Sequence, residues 1–401
     1  MTFLPWQRPN STEAYAFDLL DRSSHYLAFP WASWIDFSRD FHLSPELLPC
    51  QLLKQPLATV GQHIEMLQHT ALLRRCGVTD LFWSHATEGL THHQGLRIHP
   101  FPLYPVRCAT HPGGLLLEQR RWLYSFQGVY RADLYLTPVR QWILELPPRS
   151  DALIASRREW HFEQQVYREH VHGKTANALR QRELDAEATD YAKALQQSVF
   201  ALCPSGSGPN SIRLWEALGY GAIPVILADT LRLPGDPDLW HQAVLRVPET
   251  AQAVAALPSQ LEALRAEPAL LAAMQAAGQQ LWQRYGLPNF VADLQQWQGD
   301  LDAYLLSCAK ARIRQQGGTD EISELQAHQT ASLPHELQNL LLVLPTEQAI
   351  LVQVIDQAPL PLLETRWKAS LQLCQRLLEG RPWAISCRSP SLESLANSGG
   401  G

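Results

Sequence analysis

Residues 200–233 read FALCPSGSGPNSIRLWEALGYGAIPVILADTLRL, and the order of residue types in that stretch decides the fold. The run 200–203 is short and apolar, as a buried strand is. It stops in 204–210, where Gly206 and Gly208 supply permissive backbone and Pro209, with fixed φ and no N–H, breaks a ladder. Asn210 or Ser211 is a natural N-cap, and the helix behind it ends at Gly219 or Gly221. Residues 223–227 are a continuous apolar run, the pattern of a strand buried on both faces. The product is a β–loop–α–β unit whose ligand edge is the loop.

A helix start behind a glycine-rich turn presents unpaired N–H groups and the positive end of the dipole, which suits phosphate. Arg213 and Glu216, three apart, share a face in the first two turns. Arginine can fork onto diphosphate oxygens, and glutamate, an acceptor only, suits ribose hydroxyls. The same spacing also describes a surface ion pair on a structural helix, and the pattern alone does not separate the two.

Working outward, 186–198 predicts a helix leading into this unit. Residues 122–126 (WLYSF) predict a strand closing on Gln127-Gly128, with Ser125 and Gly128 at its end. Gly128 either lets backbone approach a phosphate or makes a turn. Thr137-Pro138 starts a helix over 139–146, and 151–155 is a further strand. Arg131 and Arg140 read as solvated or structural. Helices run through 258–278 and on to about 310. A break at 111–114 marks the domain junction, giving an N-terminal α/β domain (1–115), either abbreviated or without its start, and a second Rossmann-like domain (116–310). Beyond a linker at 314–320, residues 311–401 predict a mostly helical appendix, most apolar at 340–344 and 349–355, with a disordered tail at 398–401.

In the first domain, 25–29 (HYLAF) and 79–83 (TDLFW) predict strands, 96–98 an extended piece, and 47–75 mainly helical patterns. Loops leaving the C-terminal strand ends line the crevice of an open α/β sheet. That places Trp31, Asp36, His85 and Glu88 there. His85 is either a general base or a satisfied structural histidine; Asp36 and Glu88 are candidates for the same role. Trp31, Trp34 and Trp83 either stack on sugar rings or pack a core.

Composition narrows the classes. The 401 residues carry 46% hydrophobic and 18% charged residues, an ordinary globular balance with ample core. A formal net charge of -6 argues against a protein that coats nucleic acid. Seven dispersed cysteines without a C-x-x-C pair read as reduced thiols of a cytoplasmic chain. No signal peptide is visible and no run approaches the ~20 apolar residues of a membrane span, while peripheral membrane contact stays open. His85, His92, His93 and His99 match no zinc spacing, and Asp236-Pro237-Asp238 falls in a turn where those residues belong anyway. No metal site is expected. The esterase, P-loop and zincin motifs are absent.

Pro204, Ser205 and Gly206, then Ser211, Arg213, Glu216 and Ala217, then Gly221, Pro224 and Val225 resemble the donor motif of the exostosin glycosyltransferases: P-x-G, S-x-R-x-x-E-A, G-x-x-P-V. RRWLYSFQG (120–128) resembles that family's strand and S-F-x-G loop, and HYLAFPW and TDLFWSHA resemble its N-terminal half. The resemblance, to a soluble bacterial-type member, covers about residues 5–240 and is strongest after 120. It implies a GT-B fold, with two Rossmann-like domains facing a cleft. It also implies inverting, metal-independent transfer from a nucleotide sugar, in the first instance a UDP-sugar, to a glycan acceptor hydroxyl, with no cofactor besides that donor substrate. Donor binding would then fall to Ser125, Gly128, Ser205, Gly206, Ser211, Arg213 and Glu216, and catalysis to His85, Asp36 or Glu88. A retaining transferase, or a non-catalytic nucleotide-sugar or carbohydrate-binding protein of the same fold, is the alternative.

Overall fold

The computed structural model describes residues 6–7, 11–20, 25–41, 56–108, 115–157, 178–287, 289–300, 342–345, 350–355 and 383–388. The junction at 111–114, the linker at 314–320 and the tail at 398–401 lie outside them.

The first domain opens with α1 (Thr12–Leu20) and α2 (Trp31–Phe41), followed by β1 (Ala58–Gly61), α3 (Thr70–Arg75), β2 (Asp80–Trp83), β3 (His92–His93) and β4 (Leu96–Pro100). Its sheet has the order β1-β2-β4-β3, parallel except for β3. The strand expected at 25–29 is reduced to one parallel bridge, Tyr26 to Ala58, because Pro30 ends it and α2 begins at once. Conversely β1 lies inside the stretch expected to be helical. Ala-Thr-Val-Gly, bounded by Pro56 and Gly61, is buried at all four positions and pairs with β2. Glu13 ties these pieces together. Its carboxylate accepts from Ala32 N at the start of α2 (3.0 Å) and from Gln62 N after β1 (2.9 Å).

The second domain runs β5 (Trp122–Gly128), α4 (Val139–Leu144), β6 (Ala152–Ser156), α5 (Ala178–Gln196), β7 (Ser198–Pro204), α6 (Ile212–Gly219), β8 (Ile223–Leu227), α7 (Pro237–Ala243), β9 (Leu245–Arg246), α8 (Ala251–Arg265) and α9 (Pro268–Tyr285). All its strand pairs are parallel, in the order β6-β5-β7-β8-β9. Every residue of β7 and β8 is buried, as a central parallel strand covered by helices on both faces requires. One core packs α6 and α9 on one face of this sheet, and a second packs α4 and α8 on the other. In this order the connections from β5 and from β7 leave in opposite directions. The topological switch point, where open α/β sheets bind ligands, therefore lies between the ends of β5 and β7.

Residues 289–300, which sequence placed with the second domain, return to the first: Phe290, Val291 and Leu294 complete a core with Ala16, Tyr26 and Phe101. Direct contacts also join the domains. Thr87 bridges Leu231, Glu88 N donates to Thr230 O (2.9 Å), and Arg232 N donates to Ala86 O (3.0 Å). The two parallel sheets thus face one cleft in a GT-B-like arrangement.

Past residue 300 the described residues are three strands, β10 (Leu342–Pro345), β11 (Ile350–Ile355) and β12 (Trp383–Arg388), in one sheet. This corrects the helical appendix at its two most apolar stretches, where Leu, Val and Ile runs favour strand. Among the described residues no helix is long and apolar enough to cross a membrane.

Candidate active site between the two sheets

The loop after β7 is held from three sides before it turns into α6. Ser205 N donates to Leu227 O (2.8 Å), Gly206 N to Gly208 O (2.9 Å), and Leu136 N to Gly206 O (3.0 Å). The Ser205 hydroxyl donates to the Glu249 carboxylate, which also takes the Thr137 hydroxyl (2.8 Å). Asn210 spans the domains, its Nδ2 donating to Ser84 O (2.7 Å) while its Oδ1 accepts from Trp215 Nε1 (3.0 Å). Ser211 is the N-cap in extended conformation, yet its side chain caps nothing. The first turn of α6 therefore carries amide N–H groups without a side-chain cap.

A cavity of about 400 Å³ opens between this loop and the first domain. Of the expected donor residues, Gly128, Gly206, Ser211, Arg213 and Glu216 line it. Ser125 and Ser205 do not. Ser125 is buried inside β5 and accepts from the Ser198 hydroxyl (2.7 Å), and Ser205 shapes the loop through Glu249. Gly128 has a steric reason to be glycine: a Cβ there would fall 2.8 Å from the Phe126 ring.

Arg213 and Glu216 do not form a surface ion pair; both are buried. Arg213 lies over the Phe126 ring and donates to the carbonyls of Gln127 and Leu202 (3.4 Å for the latter), tying the ends of β5 and β7 together. Its Nε has no partner. Glu216 accepts from the Tyr191 hydroxyl and from Arg107 N, each at 2.7 Å, and so grips the segment joining the domains. Burial raises its pKa against those two hydrogen bonds and the Arg213 charge, which favour the carboxylate.

Across the cavity stand Asp36 and His85. His85 follows β2 and is buried with Nδ1 unpartnered. Burial, with the neighbouring His63, pushes its pKa down to about 3, so the ring is neutral and a poor proton acceptor. Asp36 projects from α2 rather than from a loop. Gln7 Nε2 donates to its Oδ2 (2.7 Å), and His63 Nε2 lies 3.4 Å from its Oδ1. His63 Nδ1 accepts from Glu65 N (3.1 Å), which leaves its Nε2 protonated towards Asp36. Gln7 and His63 escaped the sequence reading because their pairing with Asp36 is made only by the fold.

Glu88 lies elsewhere, beside a second cavity, with Arg246 Nη2 3.9 Å from its carboxylate. The three tryptophans are core: Trp31, Trp34 and Trp83 are buried together, and Trp31 Nε1 donates to Thr59 Oγ1 (2.8 Å). His99 pairs with the buried Asp80 (2.7 Å), and Asp236 caps α7 through Asp238 N (2.9 Å).

The family profile of the Exostosin GT47 domain matches residues 66–261, which include the β7–α6–β8 unit and every strand of the second sheet. A probable beta-1,4-xylosyltransferase of Arabidopsis thaliana is 44% identical over 62 residues, 15% of each chain. A probable glucuronosyltransferase of Oryza sativa subsp. japonica is 45% identical over 60 residues, 15% of this chain and 14% of that one. The matched stretches thus span about a seventh of those relatives' length. Among solved structures, sucrose-phosphate synthase from Thermosynechococcus elongatus is 13% identical, covering 77% of this chain and 81% of its own at a TM-score of 0.37.

Proposed function

Taking residues 66–261 as an exostosin GT47 domain, we propose that the chain is a glycosyltransferase moving a sugar from a nucleotide-sugar donor to a glycan hydroxyl. One observation carries this reading. The loop and helix start of the donor motif lie at the switch point of the second sheet, and the Asp36 carboxylate of the first domain faces them across one cavity. The diphosphate sits against the α6 start and the arginines around it, with Glu216 toward the ribose.

Asp36 is the better base than His85. It is a carboxylate oriented by Gln7 and His63, whereas the His85 ring resists protonation. In the transfer, Asp36 takes the acceptor hydroxyl proton. The acceptor oxygen bonds to the anomeric carbon as the bond to the diphosphate oxygen breaks, and the diphosphate leaves with that electron pair. Attack from the face opposite the leaving group inverts the anomeric centre. Arginine charge and helix N–H groups stabilise the leaving group, so the reaction is proposed to need neither metal nor cofactor. The reading is tested by titrating nucleotide sugars into the full chain and following thermal unfolding. The bound donor should raise the unfolding midpoint, and no response to any nucleotide sugar would remove the donor site.

A further inference from the structure

We infer that Arg140, and not Arg213, supplies the guanidinium fork that holds the donor's diphosphate, with Arg213 acting as a positioning residue. This rests on the donor-site reading above and assigns the anion subsite within it.

The hydrogen bonds separate the two arginines. Arg213 spends both terminal nitrogens on the carbonyls of Gln127 and Leu202. Those bonds fix the two strand ends that flank the switch point, and each takes one N–H of a terminal nitrogen. Arg140, projecting from α4, spends only Nε, donating to Ser205 O (2.7 Å). Among the described residues its Nη1 and Nη2 have no hydrogen bond, and no carboxylate pairs with it. Its guanidinium rests on the Tyr135 ring, 4.4 Å from the centroid, with the free fork beside the donor loop. Gly206 permits that approach, since a Cβ there would fall 3.1 Å from Arg140 Nη2.

Donors without acceptors accumulate around this point. Tyr135 Oη and Arg213 Nε are buried and unpartnered, both residues line the cavity, and the α6 start is uncapped. The Arg213 guanidinium lies near enough to repel that of Arg140, and among the described residues no carboxylate offsets Arg140. Burial and the like charge of Arg213 push the Arg140 pKa down to about 10. A region rich in unspent donors and uncompensated positive charge is complementary to a multiply charged anion bearing several acceptor oxygens. A diphosphate fits that description, and a monophosphate fills only part of it.

The test is calorimetric titration of the full chain with UDP, GDP and ADP, followed by the monophosphate of whichever nucleotide binds. Arg140→Gln should weaken the diphosphate by about 10- to 100-fold, the range of a lost charge-assisted contact, and the monophosphate by less than about threefold. Arg140→Lys should recover only part of the loss, because a point charge cannot fork. Retained monophosphate binding also shows that the variant is folded. An Arg140→Gln variant with unchanged diphosphate affinity, or with equal loss for both nucleotides, overturns the assignment of Arg140 alone. A wild-type chain that binds none of the three diphosphates overturns the donor-site reading together with it.

Discussion

His85 and Gly208 belong to different domains and leave no room between them: a Cβ on Gly208 would fall 2.3 Å from His85 Nδ1. The histidine is thus one piece of the first domain, with Ser84, that seats the β7–α6 loop. Gly208→Ala must move the ring or part the domains, since Ile64 Cγ2 also lies 2.8 Å from the same point. Overpacking of this kind costs about 1–3 kcal/mol, read by thermal unfolding. Adding His85→Ala should return part of that loss in a double-mutant cycle. Purely additive losses would show that the two residues do not press on each other.

Acidification separates His85 from the other buried titratable groups. Its folded pKa, about 3, lies below the ordinary value of 6.5, so the unfolded chain binds a proton that the folded chain refuses. That contribution is fully present above pH 6.5 and is lost as pH falls towards 3, by at most about 1.4 kcal/mol per pH unit. Glu13 opposes it. Burial raises its pKa from 4.5 to about 8, so the folded chain keeps a proton the unfolded chain releases, and stability rises as pH falls through that window. His85→Phe removes the first slope and leaves the second. Between pH 6.5 and 5 the variant should gain about 1.6 kcal/mol on the wild type in urea unfolding, and parallel curves would show that His85 already carries its proton.

Asp36→Asn keeps the shape of the site and removes the proton acceptor. Transfer should fall by about 10²- to 10⁴-fold while affinity for the nucleoside diphosphate stays within about threefold. His63→Gln, which leaves the Asp36 carboxylate in place but loosens its orientation, should lose less. Full activity in Asp36→Asn would return the base to another residue of the cavity.

Glu216 holds Tyr191 and the Arg107 amide and, in the proposed site, the ribose. Glu216→Gln should destabilise the chain by about 1–3 kcal/mol by leaving a buried donor unsatisfied. It should also erase any preference for a ribonucleotide over its 2′-deoxy counterpart. A variant that still discriminates would place the ribose elsewhere.

The second sheet was largely legible in sequence because its signals are local. Gly206, Gly208 and Pro209 punctuate the loop, and 223–227 is too apolar for an exposed strand. β1 was hidden because a four-residue strand inside a longer helical pattern leaves no period to read. The cavity was legible only in part. Arg213 and Glu216 fall where expected, but their partners Gln127, Tyr191 and Arg107 are set by tertiary contact, and so is the grouping of Gln7, Asp36 and His63. Local spacing cannot report whether an arginine's nitrogens are already spent. That is why Arg140, read as solvated or structural, takes the diphosphate only in the proposed site, where Arg213 positions the strand ends.

Acceptor extension, read by mass spectrometry, tests whether the chain transfers sugar. The full chain is incubated with UDP- and GDP-sugars and a set of acceptor oligosaccharides. The predicted result is an acceptor heavier by one sugar residue for each nucleoside diphosphate released, abolished by Asp36→Asn. A nucleotide sugar that binds in the cavity but is neither transferred nor hydrolysed would contradict it, and would make the chain a binding protein built on a transferase fold.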